Sequence, residues 1–418
     1  MKAKLIIFIF LVSVLSLCFF GQVNADYVPK IYTTGLNITE ASDNQIKGQF
    51  TVWNSEDYYF TDLNYVIKLF KGTGLNSLEL IDAQVPQETL SVSPRQTIAK
   101  TFVYNYPKNI ISGDYTLRIQ VVTARGGELG WEDQAVSLDG KNNFLDIISD
   151  LSRVLANGQE SFPLAGLNVS ATEDVGAFLK VKNSGDVITV VPDIKIFKRQ
   201  YNMQLVKQYQ DSQITFAKGE TKEITLKMPR LNTPESYLAE VKLYSGSEQV
   251  SGIQYFRWVV TGESGKILFI KLDKDSYSAG EQMQITVDSI GPSDLTSIDG
   301  VNLEVFVSDQ NKNLVGDISK SINMGPGLLS SIISVPVAKD LFNLSIDAKI
   351  TKNNQVLDEY KIVLPISSEK AQNLEKTQER NETIKKYLIY FIPAILVILL
   401  IGFLIFRFRK YLHSLFLK

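Results

Sequence analysis

The sequence predicts an all-β protein: three tandem antiparallel β-sandwiches followed by a polar stalk and one transmembrane helix. Three observations lead there. Residues 26–366 are dominated by short runs in which apolar and polar residues alternate. One long stretch of that region is written twice, beginning at Gly35 and again at Gly166. Both ends of the chain carry uncharged apolar runs.

Alternation marks a strand with one buried face, because successive side chains point to opposite sides of a sheet. The run NQIKGQFTVWN places Ile46, Gly48, Phe50 and Val52 together, and GDYTLRIQVVT does the same for Tyr115, Leu117, Ile119 and Val121. GAFLKVKN, KEITLKMP, YLAEVKLYS, EQMQITVDS and VNLEVFVSD read in the same way. Turn residues punctuate these runs at roughly the 8–12 residue spacing of β-sandwiches.

The repeat gives the first two sandwiches, 26–139 and 140–262. After Gly35-Leu36-Asn37 and Gly166-Leu167-Asn168 the same order follows: a strand ending at Asn54 or Asn183, then NYVIKLFK against PDIKIFK, with Phe70 opposite Phe197. SPRQTIAKTFVYNYP then matches AKGETKEITLKMP, and from Pro107 or Pro229 it is the same step to a strand-opening tyrosine, Tyr115 or Tyr237. WEDQAVSL and IQYFRWVV close the two copies. Matching order over a whole unit points to duplication of one fold. Between the copies, Phe144, Ile147, Ile148, Leu151, Val154 and Leu155 have helical spacing, yet Asn157-Gly158 is a hairpin signal. Strands joined by a hairpin are expected, with a short helix as the open alternative.

A third sandwich, 263–366, departs from the repeat. Its signature is KLDKDSYSAGEQMQITVDS from Lys271, with Asp273, Lys274, Tyr277, Gly280 and Glu281 leading into an alternating strand. Gly280 suits a turn needing positive φ, and Tyr277 suits the sheet edge beside Met283, Ile285 and Val287. This pattern resembles the start of macroglobulin-type and related bacterial immunoglobulin-like domains. The first two units, with WNSED or KNSGD between strands, are similar to tandem immunoglobulin-like modules of prokaryotic surface proteins. The resemblance implies fold and no activity; the thioester of some macroglobulins is excluded because the only cysteine is Cys18, in the leader.

Lys2 and Lys4, the apolar run Leu5–Phe20 and the small residues ending at Ala25 form a secretory signal, 1–25, cleaved before Asp26 or retained as an anchor. Residues 387–406 hold no charge, and about 20 residues rising about 1.5 Å each cross a hydrocarbon core of about 30 Å. Arg407, Arg409 and Lys410 give this helix a positive flank, and 407–418 reads as a basic amphipathic cytoplasmic tail. Residues 367–386 are polar all round and read as a stalk. The expected location is therefore the cell membrane, single-pass, with the bulk of the chain at the cell surface. The absence of disulfides, together with a Lys, Ile and Asn bias, points to a bacterial or archaeal envelope.

Chemistry is sparse. His413, the only histidine, lies in the tail, which removes Ser-His and Cys-His nucleophile pairs and histidine-held metals from the ectodomain. Asp273 and Asp275 alternate, but Tyr277 stands at the third ligand position of a calcium loop, so a turn is expected. RGGELG from Arg125 lacks the strand-to-helix context of a phosphate loop and reads as a hairpin. NSEDYYFTDLNY from Asn54 is read as core or edge strand before contact surface, and Trp53, Trp131 and Trp258 as core or inter-domain packing. The sequons at Asn37, Asn168, Asn343 and Asn381 are no more than chance supplies. A net charge of −2 offers no basic stripe for nucleic acid. No catalytic, cofactor-binding or metal residue is assigned and no cofactor is expected. The expected function is a non-enzymatic, membrane-anchored binding or adhesion protein of the envelope with a protein or glycan partner. The alternative is a structural or accessory subunit of an envelope membrane complex, with the sandwiches as spacers.

Overall fold

The computed structural model describes residues 31–364, except 43, 74–78, 142–143, 199–203, 275 and 310, and beyond them only 380, 383, 384, 386, 387 and 401. No helix among the described residues is long and apolar enough to cross a membrane. The signal 1–25, nearly all of the stalk and of the segment 387–406, and the tail lie outside the described residues.

The described chain is built from strands gathered into three pairs of sheets. The first pair contains β1 (Ile31–Ser42), β2 (Gln45–Asn54), β3 (Phe60–Lys71), β4 (Glu79–Gln84), β5 (Leu90–Val92), β6 (Thr97–Asn105), β7 (Gly113–Val122) and β8 (Glu128–Leu138). One sheet runs β1-β2-β6 and the other β4-β3-β7-β8, with β5 also on β3. The alternation is realised: Ile46, Phe50 and Val52, with Tyr115, Leu117, Ile119 and Val121, are buried in one core.

The second pair contains β9 (Leu145–Ile147), β10 (Arg153–Ala156), β11 (Gln159–Ser161), β12 (Leu167–Val169), β13 (Val175–Asn183), β14 (Ile188–Lys198) and β15 (Gln204–Gln210). It continues through β16 (Ile214–Phe216), β17 (Thr221–Lys227), β18 (Glu235–Ser245), β19 (Glu248–Gln249) and β20 (Gln254–Val260). Its sheets run β11-β10-β13-β17, with β9 on β13, and β12-β20-β18-β14-β15. The connecting segment is strand, one short 3₁₀ turn at Ser149–Leu151, and a hairpin whose Asn157 and Gly158 both have positive φ, 50° and 73°. This is the two-residue turn that matches strand twist. Among the described residues one strand ladder departs from the antiparallel rule, β12 running parallel to β20, and a single parallel bridge joins Leu145 and Ser251.

The third pair contains β21 (Lys266–Leu272), β22 (Gln282–Ile290), β23 (Ile298–Ser308), β24 (Leu314–Met324), β25 (Leu328–Pro336), β26 (Ser345–Lys352) and β27 (Gln355–Val363). Its sheets, β21-β22-β25 and β24-β23-β26-β27, follow the strand order of the first pair. The third unit departs from the repeat in sequence and keeps its topology. Hydrophobic alternation sets which face of each strand is buried, and many sequences satisfy it.

The copies share their corners at atomic detail. Asn54 donates to the carbonyls of Tyr58, Val92 and Ser93, and Asn183 to those of Asp186 and Ala217. Their Oδ1 atoms accept the amides of Glu56 and Gly185. Tyr115 and Tyr237 each donate a hydroxyl to the carbonyl four residues upstream, of Ile111 and Thr233, the corner contact of immunoglobulin-like sandwiches. The opening glycines, Gly35 and Gly166, have φ of 66° and 74°. Their partners differ: Gly35 sits in an irregularity of β1 still paired to β2, whereas Gly166 leads into β12 on β20. At Gly166 a Cβ would stand 2.7 Å from the Arg257 carbonyl oxygen, so only glycine lets the backbones approach.

Candidate functional site

The three sandwiches contact one another pairwise. Between the first and second, the Ile253 amide donates to the Leu80 carbonyl at 2.8 Å, and Lys242 Nζ donates to Asp82 Oδ1 at 2.8 Å. Between the first and third, Arg125 reaches Asp358 Oδ1 at 3.2 Å and lies 4.4 Å from the Tyr360 ring centre. Asp358 Oδ2 also accepts the Ile267 amide. Between the second and third, Lys266 is paired with Glu235, their side chains only 3% and 5% exposed, and burial pulls the Lys266 ammonium below its usual range.

Several sequence features resolve into these contacts. The RGGELG run is the β7–β8 hairpin, and its Arg125 is the residue inserted against the third sandwich. The tyrosine-rich run after Asn54 leads into β3, and the Tyr58 and Phe60 rings lie 6.2 and 5.1 Å from that of Phe269. Trp258 is buried as expected. Trp53 and Trp131 are not: they are 40% and 51% exposed, on outward-facing strand positions where period-two alternation leaves no core to enter. Trp53 stacks on Tyr32, and Trp131 lies under Arg118.

Of the alternating acidic pair, Asp275 lies outside the described residues and Asp273 is engaged by protein groups. Asp273 Oδ1 accepts the Tyr277 hydroxyl and the Gln284 amide, organising the turn. Asp309 accepts Lys339 and the amides of Asn311 and Asn313, and this set, Lys339 foremost, holds its carboxyl at about 2. Among the described residues no three His, Cys, Asp or Glu side chains gather as metal ligands.

A cleft of about 410 Å³ lies between the first and second sandwiches. The first contributes Val66, Lys68, Gln120, Val122 and Glu128, from the outer face and hairpin of its β3-β7-β8 sheet. The second contributes Lys195, Phe197, Leu238, Glu240, Lys242 and Tyr255, from the outer face of the equivalent β14-β18-β20 sheet. Lys68 and Lys195 stand at the same position of the repeated I-K-x-F-K words. Burial lowers the Lys68 ammonium below the usual lysine range. Burial also pulls on Lys242, but Asp82 and Glu240 together hold it above that range. Tyr255 donates to Glu240 Oε2, and burial with that carboxylate pushes its phenol well up. The cleft presents ammonium, carboxylate, amide and phenol groups on an apolar wall, at a junction between domains where small-molecule sites concentrate. Sequence reading assigned no residue to a site. The signal for Lys68 and Lys195 was present in the repeated words, but not that their sheets converge.

No family model matches the chain, and no curated protein matches it. Solved structures similar to it include trypsin-activated alpha-2-macroglobulin from Escherichia coli, at 8% identity over 82% of this chain and 24% of that one, TM-score 0.33. The elastase-activated form of Escherichia coli alpha-2-macroglobulin is similar at 12% identity over 80% and 33%, TM-score 0.26. Red sea bream transglutaminase is similar at 11% identity over 56% and 32%, TM-score 0.22. The chain spans about a quarter to a third of the length of these structures.

Proposed function

We propose that the protein is a non-enzymatic binding protein, held at the outer face of a cell membrane by 387–406, whose site is the cleft between its two repeated sandwiches. The observation that carries this reading is the convergence of Lys68 and Lys195, equivalent residues of the two copies, on one cavity of about 410 Å³. The leader 1–25 and the uncharged segment 387–406 support the location. The spacer alternative is less favoured by the geometry. A spacer gains reach from end-to-end domains, and the first sandwich is folded back onto the third through Arg125, Asp358 and Phe269.

The test is binding of the full-length protein, reconstituted in lipid nanodiscs, to intact cells and to isolated envelope polymers and proteins. Saturable binding in the micromolar range is expected. No saturable binding to any of these would overturn the proposal.

A further inference from the structure

The ligand class of the cleft follows from which of its charges are already matched, an inference that rests on the cleft being a binding site. Lys242 is matched by Asp82 of the first sandwich at 2.8 Å and by Glu240, two residues before it on β18, at 3.6 Å; Glu240 also stands opposite Lys195 in the β14–β18 register, outside ion-pairing distance of it. Glu240 is further engaged by the Tyr255 hydroxyl at 3.2 Å. Lys68 has only the Gln120 side-chain oxygen to donate to, and Lys195 makes no ion pair; no carboxylate among the described residues is within ion-pairing distance of either. Glu128, exposed at the hairpin, acts on Lys68 through its field without contact, and Arg118 repels it while bound bidentately to Asp133. Two half-buried ammonium groups thus face the cavity with no carboxylate in contact. Withdrawing a charge from water without a partner is costly, and an anion arriving from solution removes that cost.

The walls define the rest of the ligand. Val66 and Val122 on one side and Phe197 and Leu238 on the other are apolar. The cavity volume matches that of small-molecule sites, roughly 300–1,000 Å³. We propose that the cleft binds a small organic anion, a carboxylate or similar monoanion joined to an apolar body, with Lys68 and Lys195 as its counter-charges.

Competitive lysine acylation tests this on the full chain in nanodiscs. The protein is treated with limiting N-hydroxysuccinimidyl acetate near pH 8, where the less basic Lys68 is the more reactive amine. Parallel samples contain about 10 mM 4-phenylbutyrate or the neutral 4-phenylbutyramide, since ligands of this size bind in the millimolar range. Peptide mass spectrometry reads each site. The carboxylate is expected to slow acetylation of Lys68 and Lys195 about threefold or more relative to the amide, leaving the exposed Lys207 and Lys320 unchanged. Equal protection by the amide, or none by either compound, would overturn the anion. Absent protection with cell or polymer binding intact removes only the ligand class; loss of both removes the site.

Discussion

Asn54, fully buried, ties three backbone carbonyls and one amide into the corner that separates β2 from β3, and Asn183 ties two carbonyls and one amide at the same corner of the second copy. Replacing Asn183 with Ala strands two carbonyls and an amide, so a loss of about 2–3 kcal/mol in chemical denaturation is expected; a loss below about 0.5 kcal/mol would show that the corner holds without it. Glu79 carries a different lesson. Its Oε1 is buried without a hydrogen-bond partner among the described residues, and Lys71 stands 3.9 Å from Oε2. Burial pushes this carboxyl from 4.5 to about 7, with Lys71 pulling down and Asp146 pushing up. The folded state therefore holds the proton more tightly than the unfolded chain. The resulting stability is fully present below about 4.5 and is lost as pH rises through about 7. Glu79→Gln should gain stability relative to the parent at about pH 8 compared with about pH 5, and a pH-independent difference would place the carboxylate in solvent.

At the scale of strands, the sequence was informative wherever one face is buried. Alternation identified Ile46, Phe50 and Val52 and the β7 face, and the repeat placed Tyr115 and Tyr237 at matching strand starts. Both tyrosines are 2% exposed and hydrogen-bonded four residues upstream. Trp53 and Trp131, expected in core or inter-domain packing, stand instead at outward-pointing strand positions, because strand facing and not side-chain size decides burial. The shared topology of the third sandwich was also hidden. Its β26, the equivalent of β7, runs Ser345–Lys352 without a tyrosine, so strand order persists without the residue that announces it elsewhere. The β14 segment shows the limit most clearly. Its outer residues Lys195 and Phe197 read as an ordinary solvated face until the opposing sheet is placed over them.

The arrangement of the whole molecule was not legible, for a physical reason: the contacts that set it join residues far apart and follow no period. Lys242 meets Asp82 across 160 positions and Arg125 meets Asp358 across 233. Arg125 and Asp358 are 10% and 8% exposed, and Asp358 also holds the Ile267 amide. Removing one partner leaves a buried charge unmatched. Asp358→Ala is expected to cost roughly 3–5 kcal/mol, and combined with Arg125→Ala to cost less than the sum. Additive losses would mean that the first and third sandwiches are not coupled there.

The central proposal is that the two repeats present one shared site. Its most direct test is saturable binding of the full-length protein in nanodiscs to cells or envelope polymers, measured beside a Lys68→Gln, Lys195→Gln double variant and a Lys207→Gln control of unchanged melting. At least about tenfold weaker binding, about 1.4 kcal/mol, is expected for the double variant and unchanged binding for the control. Binding by the double variant equal to that of the parent would contradict it.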